Sequence, residues 1–348
     1  MHLRSLCAPL ACAALLSGCN CGPASGPSSP SANGLVVGVE PVPGADVPGD
    51  AGLPASQFTA WAGALDGKGG FAMPEPKSIQ VTCEQPAAAC APVDDGVRRP
   101  GSERGLLAIV LDDSGSNDAD PSDCPGCPTD PEGLRVDGIR VLLHRLLGRA
   151  PGWRVALFDF GNDTTGRNEA AAMLAGYSSY EEAFAPALGK IEAGGGTYIY
   201  SSIVDVIPTL LGEQAAAKSD GGANPPARIL LMSDGQDTSS DSLADAIAAA
   251  QDAGVAIDTI GYGQRSDAGT VVLTAKASRD LRNIAYGTGG LCSIVSTDEL
   301  PALLARIGEL YVAGYAERRF QMPTGAASVR GQVGLGEATT PFFFEDLR

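Results

Sequence analysis

Asp112-Asp113-Ser114-Gly115-Ser116 places an acid and two hydroxyls at alternate positions, directly after an unbroken apolar run over residues 106–111. Asp112, Ser114 and Ser116 offer only oxygen donors, the kind preferred by hard dications such as Mg²⁺, Mn²⁺ or Ca²⁺. Two later points add the same chemistry. Thr197 follows Gly194-Gly195-Gly196, and Asp234 stands in Ser233-Asp234-Gly235. Each residue taken alone reads as a helix cap or a solvated loop acid. The combination points to a cation site instead.

Positioning these residues requires strands that end together. The apolar run over 106–111 suits a strand buried on both faces, as in a parallel sheet covered by helices, with polar residues where it leaves the sheet. In open α/β folds that carboxyl edge is where ligands bind. Further strands are expected at residues 154–160, 228–232, 255–260 and 291–295. Helices alternate with them. Ile139, Leu142, Leu143, Leu146 and Leu147 mark one buried face of a helix beginning near Leu134. A helix is expected over residues 180–192, then one carrying Ile199, Ile203, Val206 and Leu210. Leu243, Ala246, Ile247 and Ala250 lie on a helix stopped by Gly254. Residues 281–286 read as helical, and Leu300, Leu303, Leu304 and Ile307 mark the closing helix. Repeated strand–helix units imply an α/β fold with a Rossmann-like, mostly parallel sheet flanked by helices.

Asp112-x-Ser114-x-Ser116 at the end of the first strand, Thr197 after a glycine run and Asp234 at the end of a later buried strand occur in one characteristic order. The arrangement resembles the von Willebrand factor type A domain and its metal-ion-dependent adhesion site. The resemblance covers residues 104–314 and matches all five motif positions. It implies direct coordination by Ser114 and Ser116, coordination by Thr197 directly or through water, and charge balance from Asp112 and Asp234. One position would stay open for an acidic residue of a protein partner. Between Ser116 and Leu134 the chain departs from the minimal loop. Asp118, Asp120 and Asp123 there could hold a second cation, without the spacing of an EF-hand.

Catalysis finds less support. His144 is the only histidine beyond residue 18 and shares a helix face with Arg140, which argues against a Ser-His-Asp triad. The best enzyme rival is a Mg²⁺-dependent phosphohydrolase with Asp112 as nucleophile. That chemistry wants a second acid two residues on, where this chain has Ser114. No glycine fingerprint or P-loop lysine follows a strand. Adhesion or partner capture is therefore the expectation, with an envelope scaffold or assembly factor as the alternative. A net charge of −17 over 348 residues argues against a nucleic-acid partner.

The ends supply a compartment. Met1-His2-Leu3-Arg4 and the small apolar segment over residues 6–18 fit a secretory signal too short to span a bilayer comfortably. Leu16-Ser17-Gly18-Cys19 resembles the lipobox of bacterial lipoproteins, which implies cleavage before Cys19 and its acylation. Asn20 is not the Asp linked to inner-membrane retention, so a lipid-anchored, extracytoplasmic protein of the outer membrane is expected. Residues 19–33 read as a disordered tether of Gly, Pro, Ser and Ala. Residues 34–103 read as a small β-rich or irregular module, with strands near 35–39 and 78–83, and residues 315–348 as a β-prone tail. The tail, with Phe342-Phe343-Phe344, should pack on the main domain or on that module. Beyond Cys19, six cysteines are disulfide candidates in an oxidising compartment. Nearness suggests Cys83 with Cys90 and Cys124 with Cys127. Cys21 and Cys292 stay unassigned. A structural role for Cys124-Pro125-Gly126-Cys127 is favoured over a redox pair, and zinc lacks partners.

Overall fold

In a computed structural model the structure describes residues 19–20, 35–42, 57–65, 71–85, 90–118, 127–161, 171–218, 224–265, 271, 273–323, 329–335 and 338–344. The chain opens with β1 (Cys19–Asn20), β2 (Leu35–Val42), β3 (Gln57–Leu65), β4 (Phe71–Ala72), β5 (Ile79–Gln85) and β6 (Val97–Pro100). Strand–helix alternation follows: β7 (Arg104–Asp112), α1 (Leu134–Arg149), β8 (Gly152–Phe160), β9 (Ala172–Ser178), α2 (Ala185–Leu188), α3 (Ile199–Lys218) and β10 (Ala227–Ser233). It continues through α4 (Leu243–Ala253), β11 (Ala256–Gly263), α5 (Ala275–Thr288), β12 (Cys292–Ser296) and α6 (Leu300–Ala313). β13 (Gly314–Gln321), β14 (Val329–Leu335) and β15 (Ala338–Phe344) close the described chain.

β7 is the centre of the main sheet, in the order β9-β8-β7-β10-β11-β12. β8, β7, β10, β11 and β12 run parallel, and β9 is antiparallel at the edge. The side-chain alternation of β7 explains its place. Leu107, Ile109 and Leu111 enter a core with α1 and α6, while Leu106, Ala108 and Val110 enter the opposite core with α3, α4 and α5. Both faces are thus sealed, as its unbroken apolar run requires. The apolar stripe read for α1 is buried throughout, and Gly254 caps α4 in the left-handed conformation at φ +65°.

Three expectations need correction. The segment over 180–192 is not one helix: a 3₁₀ turn, Glu181–Ala183, precedes the single turn α2. Phe184, Ala187 and Leu188 are buried at helical spacing, which gives the signal, but the following residues leave the helix at Gly189. β9, just before it, was not expected. Its residues are only part-buried or exposed, and its run of Ala, Met and Leu, rich in good helix formers, carries no strand signal. β3 was also missed, because small residues dilute its pattern.

The strands read near 35–39 and 78–83 are β2 and β5. β13 pairs antiparallel with β3 and β6, and β14 with β5, so the tail packs on the preceding module. Phe58 stacks on Phe320 at 5.5 Å in their shared core, which also holds Ile79, Val329 and Val333. β1 and β2 join this layer to β12. The first two residues of the expected tether therefore lie in the sheet, while residues 21–34 lie outside the described chain. The segment Phe342-Phe343-Phe344 belongs to β15, paired with β14. Cys83 and Cys90 form the expected disulfide. Cys127 and Cys292 are also disulfide-bonded, and Cys21 and Cys124 lie outside the described residues. No helix among the described residues is long and apolar enough to cross a membrane.

Candidate metal centre

Parallel pairing of Leu111 with Met232 brings the carboxyl ends of β7 and β10 side by side. Asp112 leaves one and Ser233-Asp234 leaves the other. Asp112 is fully buried; its Oδ1 accepts the Ser114 N–H at 2.9 Å and its Oδ2 accepts the Ser233 hydroxyl. Ser114 Oγ lies 3.0 Å from Ser116 Oγ, and the Ser116 hydroxyl donates to Asp234 Oδ1 at 2.9 Å. Four of the five expected residues thus form one hydrogen-bonded chain.

Thr197 arrives on the glycine run. The Gly194 N–H donates to the Asp113 carbonyl at 2.7 Å, and the Gly115 N–H to the Gly195 carbonyl at 3.2 Å. Gly195 adopts φ +69°, which a residue with a Cβ resists. Thr238 clasps the far side, its N–H on the Thr197 carbonyl at 2.7 Å. The Thr197 hydroxyl packs over Gly235, 3.2 Å from where a Cβ there would sit. Thr197 therefore lies beside Asp234, as the motif requires. A second glycine makes room from below: a Cβ on Gly161 would come within 2.5 Å of the Ser114 nitrogen.

Burial sets the electrostatics of the two acids. Burial raises the Asp112 carboxyl above its ordinary range. Burial, then the charge of Asp112, pushes Asp234 up to about 7. No lysine or arginine forms an ion pair with either among the described residues. Two adjacent buried carboxylates with three hydroxyls are a donor set that a hard dication fits.

Sequence reading missed the support beneath this centre. Arg135, 5% exposed, donates to Asp113 Oδ1 and Asp130 Oδ2, both at 2.8 Å. Asp130 also caps α1, accepting from the Leu134 and Arg135 backbone. Asn117 bonds the Ser114 carbonyl at 3.2 Å, and Tyr262 donates to Asn117 Oδ1 at 2.9 Å. Thr129 donates to Asp234 Oδ2. Nothing in the Asp/Pro-rich loop marked Thr129 or Asp130, since both are ordinary turn residues. Of the residues named for a second cation, Asp118 is exposed, and Asp120 and Asp123 lie outside the described residues. His144 is exposed on α1 beside Glu181, at 3.1 Å.

An open, mostly parallel sheet flanked by helices, with oxygen donors gathered at the carboxyl ends of adjacent strands, defines a Rossmann-like α/β domain. Residues 107–288 match the family model for the von Willebrand factor type A domain, and the chain belongs to that family. Similar solved structures include the SpRpn10 VWA domain, 15% identical, with a TM-score of 0.39 over 59% of this chain and 93% of that one. BatB from Bacteroides thetaiotaomicron is 17% identical, with a TM-score of 0.38 over 59% and 98%. Proximal thread matrix protein 1 from the mussel byssus, with a zinc-occupied MIDAS motif, is 18% identical, with a TM-score of 0.40 over 66% and 51%. The chain spans about half the length of that mussel protein. No curated protein matches the sequence.

Proposed function

We propose that this chain is a lipid-anchored, extracytoplasmic binding protein that grips a protein partner through a divalent cation. Asp112, Ser114, Ser116, Thr197 and Asp234 would hold the ion, Mg²⁺ or else Mn²⁺ or Ca²⁺. A bound dication supplies a positive centre able to accept a partner's Asp or Glu carboxylate. The chain's own part is to neutralise the ion with two acids, keep the other donors uncharged and hold every donor on a loop braced by a buried strand. The observation that carries this reading is the pairing of two buried carboxylates, Asp112 and Asp234, joined through Ser114 and Ser116 and lacking an ion-pair partner among the described residues.

A binder is favoured over an enzyme. Both Asp112 oxygens are taken up by Ser114 and Ser233, which suits a positioned charge better than a nucleophile. Cys19 would carry the anchor, and the net charge of −17 disfavours nucleic acid as partner. The test is capture from envelope extract on the immobilised full chain, with Mg²⁺ or EDTA and with Asp234→Ala as control. A partner released by EDTA and absent from the variant is the expected result. Retention indifferent to both would overturn the reading.

A further inference from the structure

Asp234 accepts two hydroxyls on its two oxygens: Ser116 on Oδ1 at 2.9 Å and Thr129 on Oδ2. Ser116 belongs to the proposed ion-binding set. Thr129 does not, and it comes from the long loop between Ser116 and α1 that departs from the minimal motif. It is 6% exposed. We propose that Thr129 is a positioning residue of the cation centre, fixing the rotation of the Asp234 carboxylate. The inference rests on the metal reading above.

The backbone around Thr129 is already held without its hydroxyl. Its N–H donates to the Ser116 carbonyl at 3.1 Å, and the Asp130 N–H to the Asn117 carbonyl at 3.2 Å. Its own carbonyl accepts from the Thr297 hydroxyl at 2.6 Å and from Gln264 Nε2 at 3.2 Å. The side-chain hydroxyl has two acceptors in reach, the Ser116 carbonyl at 3.2 Å and Asp234 Oδ2, and the closer, charged oxygen is the one that takes its proton. The terminal torsion of an Asp side chain is broad, so one hydrogen bond leaves its plane loose. Hydrogen bonds to separate oxygens fix it. Such outer partners of a metal ligand are worth about 10–100-fold in affinity.

The experiment titrates Mn²⁺ calorimetrically into the full chain as wild type, Thr129→Val and Thr129→Ser, with the metal-free melting temperature of each as a second readout. Valine keeps the shape and the bonds of the Thr129 N–H and carbonyl but removes the hydroxyl, with its contacts to Asp234 and to the Ser116 carbonyl; serine restores it. The expected result is an affinity about 10–100-fold weaker for T129V, with T129S close to wild type in affinity and in its metal-free melt. Equal affinity in T129V and wild type would overturn the assignment while leaving the cation site intact. So would T129S as weak as T129V, which would make the methyl group the important part. Should T129V not fold, T129A against T129S gives the same comparison. Wild type that binds no Mn²⁺ would refute the cation reading, and this inference with it.

Discussion

Saturating Mg²⁺ or Mn²⁺ should raise the melting temperature, and Asp234→Ala should abolish the rise. An ion that binds only the folded chain stabilises it by about 2.7 kcal/mol at a hundredfold excess over its Kd. For a domain of the size matched here, residues 107–288, each kcal/mol moves the midpoint by about 2–4 °C, so the shift should be about 5–10 °C. The metal-free variant should melt close to wild type, because two effects oppose. Losing Asp234 removes a bond from each of the Ser116 and Thr129 hydroxyls, at no more than about 1 kcal/mol each because Ser114 Oγ and the Ser116 carbonyl remain as acceptors. It also relieves the charge that Asp112 and Asp234 impose on one another in a buried site. Differential scanning fluorimetry with EDTA-treated protein, at several metal concentrations, measures all of this. An unchanged wild-type melt at saturating metal, or an equal shift in the variant, would refute the reasoning.

Arg135→Met should cost about 3–5 kcal/mol in denaturant titration, since it leaves Asp113 and Asp130 as uncompensated buried acids; a loss below about 1 kcal/mol would contradict the network. Burial pushes the Asp159 carboxyl up to about 6. A carboxyl raised in this way favours the folded state below its unfolded value, 3.8, and that benefit is lost as pH rises through about 6. Asp159→Asn should therefore be more stable than wild type at pH 8, by at most about 3 kcal/mol, with the gap closing by about pH 4; a gap independent of pH would show that ionisation is not the cause. Cys19→Ala should leave the protein soluble or as an uncleaved precursor on fractionation, and normal membrane retention of a mature form would refute acylation.

The parts of the fold legible in sequence were those whose burial is one-sided or complete. β7 and β10 are sealed on both faces and read as unbroken apolar runs, and α1 shows its stripe because only one face meets the core. β9 was illegible because an edge strand with part-exposed residues needs no pattern. β3 and β13 depend on each other across most of the chain, and no local window contains both. The five motif residues could be named because they follow strand ends and a glycine run in one order, and the structure links four of them in one hydrogen-bonded chain. Thr129, Arg135 and Tyr262 support that centre by where the fold brings them, and a threonine in a loop or an arginine opening a helix carries no such signature of its own.

The way β3 and β5 find their partners has a consequence for biogenesis. Ala62 lies opposite Ala316, and Thr82 opposite Gln332, so strands that precede the central α/β domain pair with strands that follow it. Contacts so distant in sequence form slowly, and until they do the early strands keep open edges that invite association with other chains. The central α/β domain has all of its strands before the flanking layer does, and a stop codon shortly after α6 would leave β3 without β13 and β5 without β14.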